Sequence, residues 1–335
     1  MTTSPFISST NNQSMQIETQ HPKALLIPQP LQPGDLLRVI APSGALREFE
    51  AFNSGVEIWR KRGYRVEVIP EIKDRWGYLA GKDEKRRSQL AAVWQDPECR
   101  GILCARGGFG ATRLLEEWTW ILQNQEIANT HSPKWLIGFS DITALLWSLY
   151  KVGICGVHGP VMTTLAEEPT WSTQRLFNLV EGKSLEPLKG KGWGGGIAMG
   201  NLLPANLTVA THLLGTLIQP ELDGVILAIE DVREAPYRID RMLTQWRMSG
   251  ALSKIAGVAI GNFTNCEPAP NIPSFSVDEV LRDRLGSLGI PIVSNLPFGH
   301  EAPNAALPVG AIATLDADAG VLTVNSEQLT VSSEQ

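Results

Sequence analysis

Paired cysteines, a basic excess, long apolar runs and the common nucleotide fingerprints are all missing from this chain. Its four cysteines, Cys99, Cys104, Cys155 and Cys266, form no C-x-x-C pair. That spacing suits neither a zinc site nor a disulfide framework, and it fits a reducing compartment. Lys and Arg number 29 against 35 Asp and Glu, a net charge of −6. Such a balance gives no general basic surface for nucleic acid or an anionic membrane. No segment reaches the roughly 18–20 uninterrupted apolar residues of a membrane-spanning helix. No Walker A motif occurs, and G-x-G-x-x-G fails because Arg113 stands where its last glycine belongs. Histidines number five, so any imidazole chemistry must choose among His21, His131, His158, His212 and His300.

What is present is an ordinary globular composition, with 335 residues, 43% hydrophobic and 19% charged. That length suits about two domains. Residues 1–30 are rich in Ser, Thr, Asn and Gln and lack both a basic start and an apolar core. They read as a disordered tail rather than a signal or transit peptide, so cytoplasmic residence is expected. From Leu36, strands alternate with helices: LLRVI, a helix from Phe49 to Arg62 closed by Gly63, the strand Tyr64–Ile69, and a helix from Lys82 to Trp94. The strand Gly101–Ala105, another helix after the loop 106–110, the strand Trp135–Phe139 and a helix from Asp141 to Tyr150 follow. Strands apolar on both faces and separated by helices predict a parallel α/β sheet over residues 31–165.

Residues 166–200 change character, with Pro169, Pro187 and five glycines between 190 and 196, and read as a linker or crossover. Residues 201–330 read as a β-rich second domain, carrying VILAI (225–229), IAGVAIG (255–261), PIVSN (291–295) and a closing hairpin in AIATLDADAGVLTV. Its clear amphipathic helix spans Tyr237 to Met248, with Ile239, Met242, Leu243 and Trp246 on one face.

Four segments could carry chemistry. In Gly138-Phe139-Ser140-Asp141 a strand turns directly into a helix, so Ser140 sits where a helix N-terminus offers free N–H groups. A nucleophile wants that setting for its oxyanion, although serine is also a favoured N-cap, and Ile142 breaks G-x-S-x-G. The loop Arg106-Gly107-Gly108-Phe109-Gly110 can point N–H groups at an anion or can simply turn tightly. Glu230-Asp231 ends an apolar strand, where a carboxylate can orient an imidazole or begin a surface loop. His300 lies in the Gly/Pro-rich loop NLPFGHEAPN, where packing gives little reason for a histidine. His158 in GVHGP is a rival base, His212 in ATHLLGT reads as a packed helical residue, and His21 and His131 lie in polar stretches.

The segments ARGGFGATRLL, LIGFSDITALL, GVHGPV, ILAIEDVREAPYRIDRML and PFGHEAPNAALPVG, in this order, resemble the LD-carboxypeptidase family of serine peptidases. That family includes the muramoyl-tetrapeptide carboxypeptidases and the microcin C self-immunity peptidases. The resemblance covers roughly residues 31–320. It implies a flavodoxin-like N-terminal domain, a β-rich C-terminal domain and a homodimer. It also implies Ser140 as nucleophile, Glu230 as the acid and His300 as the base, with backbone N–H groups of Gly108 and Asp141 as the oxyanion hole. No metal or cofactor is expected. The implied substrate is a murein tetrapeptide, cut before its terminal D-Ala, whose carboxylate Arg106 or Arg113 would capture unless they only brace the loop. A microcin-type peptidase acting on aminoacyl-nucleotide conjugates is the alternative, kept open by Trp171 and Trp193, and a non-catalytic binder of peptide fragments is a second. The 90 residues between Ser140 and Glu230 favour the carboxypeptidase branch. Phe109 stands in place of the usual tyrosine and Met199-Gly200 in place of Gly-Gly, departures that leave the three triad positions intact.

Overall fold

The computed structural model describes residues 25–118 and 133–325. The first sheet takes β1 (Leu36–Ile40), β2 (Arg65–Val68), β3 (Cys99–Cys104), β4 (Trp135–Gly138) and β5 (Val157–His158), all parallel, in the order β5-β4-β3-β1-β2. Alternation along β1 sends Leu37 and Val39 to one face, where Phe52, Val56 and Trp59 of the helix Phe49–Lys61 cover them. Ile40 joins the other face, under Leu90, Val93 and Trp94 of the helix Asp83–Gln95. Gly55 has a steric reason: a side chain there would meet the Met162 carbonyl at 2.1 Å. After β4 the chain makes one 3-10 turn, Ser140–Ile142, and only then the α-helix Thr143–Lys151.

The second sheet holds β6 (Leu188–Lys189), β7 (Lys191–Trp193), β8 (Ile197–Asn206), β9 (Ile226–Val232), β10 (Gly257–Thr264) and β11 (Ile292–Ser294). β12 (Leu307–Pro308) instead joins the first sheet, antiparallel to β5, while β13 (Ile312–Asp316) and β14 (Val321–Val324) return to the second as a hairpin. Its order is β6-β14-β13-β8-β9-β10-β11-β7, with β8 to β11 parallel and the rest antiparallel. The fold is thus mixed α/β, a parallel sheet followed by a β-rich sheet. Trp147 ties the two units together: its indole N–H donates to the Pro204 carbonyl at 3.0 Å, and its ring meets Trp246 of the helix Pro236–Met248 edge-on at 6.4 Å.

Three segments differ from the sequence reading. Residues 25–30, taken there as tail, lie along the first unit, with the Leu26 N–H bonded to Gly153 and the Leu26 carbonyl to Cys155. Residues 1–24 fall outside the described residues. The stretch 166–200, taken as a linker, holds the helix Thr170–Val180 with Leu176, Leu179 and Val180 buried, and then β6 and β7. Only Gly194 to Gly196, each at positive φ, behave as the glycines suggested. β8 was not foreseen because Pro204 argues against a central strand; here β13 pairs only with residues 197–201, so the proline has a strand neighbour on one side alone.

Candidate active site

Ser140 follows β4 at the carboxyl end of the first sheet, where open α/β sheets place ligands. Its φ is 62°, the left-handed region, and its side chain does not cap the following turn. Instead Ser140 Oγ donates to Nε2 of His300 at 2.9 Å. His300 Nδ1 donates to Oε2 of Glu230 at 2.6 Å, which fixes the tautomer and leaves Nε2 as the acceptor. Glu230 is fully buried in β9 and receives a second bond from the Asn206 amide, 3.3 Å from Oε1.

The second sheet is shaped to deliver the last two members. Between Ile260 and Phe263 the β10–β9 register slips, a bulge opposite Glu230. Gly261 lies in that bulge, and a side chain on it would strike Phe298, whose carbonyl accepts from Asn262 at 2.8 Å. The bulge therefore seats the 298–300 backbone against the strand and turns His300 toward Glu230. The Phe139 ring packs on the imidazole at 4.8 Å.

The loop 106–110 lies against the nucleophile. Gly107 must be glycine for space, because a side chain there would come within 2.9 Å of the Ser140 Cβ. Gly108 has φ 117° and lines the same cavity as Ser140 and Asp141. Asp141 is the second residue of its 3-10 turn, so its N–H has no partner within the turn. Its buried carboxylate accepts from Ser43 Oγ at 2.5 Å and from the Ala111 N–H at 2.8 Å, tying the turn to the loop at Ser43 and to the start of the short helix Ala111–Leu114. Burial raises the Asp141 pKa, and these two donors with Arg86 oppose the rise. Arg86, itself 1% exposed, donates to the carbonyls of Pro42 and Gly110.

Arg106 and Arg113 are both engaged elsewhere. Arg113 makes two bonds to Asp83, at 2.5 and 2.9 Å, and Arg106 donates to the Ala45 carbonyl at 2.8 Å with Glu48 at 3.5 Å. Neither lines the cavity at Ser140. The rival base His158 is fully buried between Phe139 and Phe298. Burial lowers its pKa to about 4 despite the pull of Glu230, so it is neutral at pH 7. His212 is helical as expected but exposed rather than packed, and it lines the cavity. His21 and His131 lie outside the described residues.

The cavity measures about 660 Å³ and runs from Ser140 past Asn206 and Thr208 to Glu234. No tryptophan among the described residues lines it; Trp171 lies elsewhere on the surface, and Trp193 is in β7, stacked under Arg282 at 5.0 Å. Two polar residues to which the sequence reading gave no role of their own complete the site. Asn206 binds both Glu230 and Asp231, at 3.3 and 3.0 Å. Asp231 accepts from Thr208 N–H and Oγ, at 2.9 and 2.8 Å, and burial raises its pKa to about 6. The only advance signal for Asp231 was its place beside Glu230; Asn206, on an unforeseen strand, offered none. Among the described residues no group of three or more His, Cys, Asp or Glu side chains is arranged to hold a metal ion.

The family model described as LD-carboxypeptidase N-terminal domain matches residues 37–159, and that described as LD-carboxypeptidase C-terminal domain matches residues 199–315. The protein is thus a carboxypeptidase by class. The chain belongs to the LD-carboxypeptidase family. A candidate carboxypeptidase of Synechocystis sp. is 56% identical over 302 residues, covering 90% of this chain and 98% of its own. The murein tetrapeptide carboxypeptidase of Pseudomonas aeruginosa is 30% identical over 292 residues, covering 83% and 92%. The solved structure of a muramoyltetrapeptide carboxypeptidase from Oxalobacter formigenes superposes with a TM-score of 0.76 at 28% identity, covering 86% and 97%.

Proposed function

We propose that this protein is a serine LD-carboxypeptidase that removes the terminal D-Ala from murein tetrapeptides, cutting after the L-centre of the diamino acid. The observation that carries the reading is the unbroken relay Ser140–His300–Glu230 opening into a cavity. The names of the relatives support the substrate class. Ser140 Oγ attacks the scissile carbonyl as His300 Nε2 takes its proton, and Glu230 stabilises the imidazolium. The N–H groups of Gly108 and Asp141 hold the oxyanion, and one such donor is worth about 3–4 kcal/mol. His300 then protonates the departing D-Ala amine. Water, activated by the same imidazole, hydrolyses the ester of Ser140 and restores the enzyme.

The same reading takes the protein to be cytoplasmic and homodimeric. The four cysteines are free and buried, as suits a reducing compartment. Among the described residues no helix is long and apolar enough to cross a membrane.

The test is mass spectrometry of murein tetrapeptide incubated with wild type and with Ser140→Ala. Wild type is expected to release one D-Ala, and the variant to turn over at least about a thousandfold more slowly. Retention of the tetrapeptide by wild type, with binding intact, would instead make the protein a binder of peptide fragments. Cleavage of an aminoacyl-sulfamoyl adenylate in place of the peptide would assign it to nucleotide conjugates.

A further inference from the structure

The reaction leaves one buried imidazole without a task. His158 ends β5 fully buried, in register with Gly138 of β4 on one side and Leu307 of β12 on the other. Neither of its ring nitrogens has a hydrogen-bond partner among the described residues. Unpaired polar atoms in a core are unfavourable, so stability alone would place an apolar side chain here. Burial lowers the His158 pKa to about 4, and the neutral ring sets no charge against the imidazolium that forms on His300.

What the ring does have is position. It meets Phe139 at 5.9 Å and Phe298 at 6.3 Å between ring centres, both edge-on. Phe139 directly precedes Ser140, and its ring packs on His300 at 4.8 Å. Phe298 lies two residues before His300 and abuts Gly261, where a side chain would come within 2.6 Å of its ring. The β10 bulge, Phe298, His158, Phe139 and His300 thus form one packed row, with the nucleophile attached at Phe139 and the base at its end. Close-packed groups pass a change of size on to their neighbours. Imidazole is the smallest aromatic ring that a side chain offers, flat enough to stand between two phenyl rings without the bulk of a third.

We propose that His158 is a positioning residue for the reaction, a spacer between Phe139 and Phe298 that sets the separation of Ser140 from His300 through the size of its ring. Its unpaired nitrogens are then tolerated for the sake of that size, the kind of local conflict that functional sites retain.

The inference rests on the reading of Ser140 and His300 as the catalytic pair. Melting temperature, kcat and KM on murein tetrapeptide are measured together, well below the melting transition. His158→Leu replaces the flat ring by an apolar side chain. Its kcat should fall about tenfold or more while KM stays within about twofold. Its melting temperature should hold or rise, because two unpaired polar atoms leave the core. His158→Phe, with the larger ring, should lower kcat as well, and there overpacking should lower the melting temperature. Because His158 acts through Phe139, the double variant with Phe139→Leu should lose clearly less than the product of the two single losses. Wild-type kcat in His158→Leu, a loss confined to KM, or losses that simply multiply would each overturn the inference and leave the carboxypeptidase intact. A His158→Leu that does not fold overturns it too, since the proposal requires an apolar replacement to be tolerated. Failure of wild type to release D-Ala overturns the carboxypeptidase reading and takes this inference with it.

Discussion

At the scale of single residues, the site is built on close approach. Ser140 holds φ at 62°, a conformation that costs a residue with a side chain about 1–3 kcal/mol. The strain persists because Asp141, one residue on, is tied to Ser43 and Ala111. Gly107 gives the nucleophile its room, and its own φ is not positive, so substitution there tests space rather than backbone strain. Gly107→Ala should push Ser140 away from His300 and lower kcat about a hundredfold, the usual effect of a displacement near 1 Å. Its melting temperature should fall only slightly. A variant with wild-type kcat would show that the loop yields and Ser140 does not. Ser140, Glu230 and His300 were candidates in the sequence, but their local settings left an N-cap open for Ser140 and a loop start for Glu230, and it was the resemblance to the family that singled the three out. Gly107 and Asn206 were not legible there, since their roles depend on which strands and loops become neighbours.

At the scale of elements, the segment 297–305 is the one to examine, because it has no regular structure of its own and yet holds the base. Besides the Asn262 bond to the Phe298 carbonyl, three bonds order it. The Gly299 N–H donates to Asn304 Oδ1 at 3.1 Å, the Asn304 N–H to Glu168 at 2.8 Å, and the Ala305 N–H to the Pro297 carbonyl at 2.8 Å. Burial raises the Glu168 pKa, with Ser172 and Asn304 opposing. Asn304→Ala leaves the buried Gly299 N–H without its acceptor, at a cost of about 1–3 kcal/mol. As Asn304 is a positioning residue, kcat should fall about tenfold or more while KM moves little. A lowered melting temperature with kcat intact would mean the segment is held by Phe298 and the β10 bulge alone. The sequence exposed the helix Pro236–Met248 through its period, and strands such as β4 and β9 through their continuous apolar runs. It hid β8 behind Pro204. The helix Thr170–Val180 was missed because flanking prolines and glycines drew the eye from Leu176, Leu179 and Val180.

For the whole molecule, the active site lies where two sheets meet, so the groups at that seam belong to stability as well as to chemistry. Asp231 is the clearest. It lies beside Glu230 with 2% of its surface exposed, and burial raises its pKa from 3.8 to about 6. Between those values the folded protein holds the proton more tightly than the unfolded chain. Stability from this group is therefore present below about pH 4 and is lost as pH rises through about 6. Glu181 acts in the opposite sense: burial alone would raise it, but Arg62, Lys183 and Tyr64 bring it down to about 2, so its stabilisation is present above about pH 4.5 and fades as pH falls through 2. Asp231→Asn removes the first effect alone. Urea unfolding of wild type and variant at pH 4 and pH 7 isolates it, because the titrations of groups that do not interact with Asp231 cancel in the difference. The variant's stability relative to wild type should improve by about 2 kcal/mol from the lower pH to the higher. An equal difference at both pH values would mean that Asp231 ionises normally, held by Thr208, Val232 and Asn206 strongly enough to offset its burial. The seam would then be stabilised as a charged network, and Glu230 would sit beside a permanent negative charge throughout the working range of the enzyme.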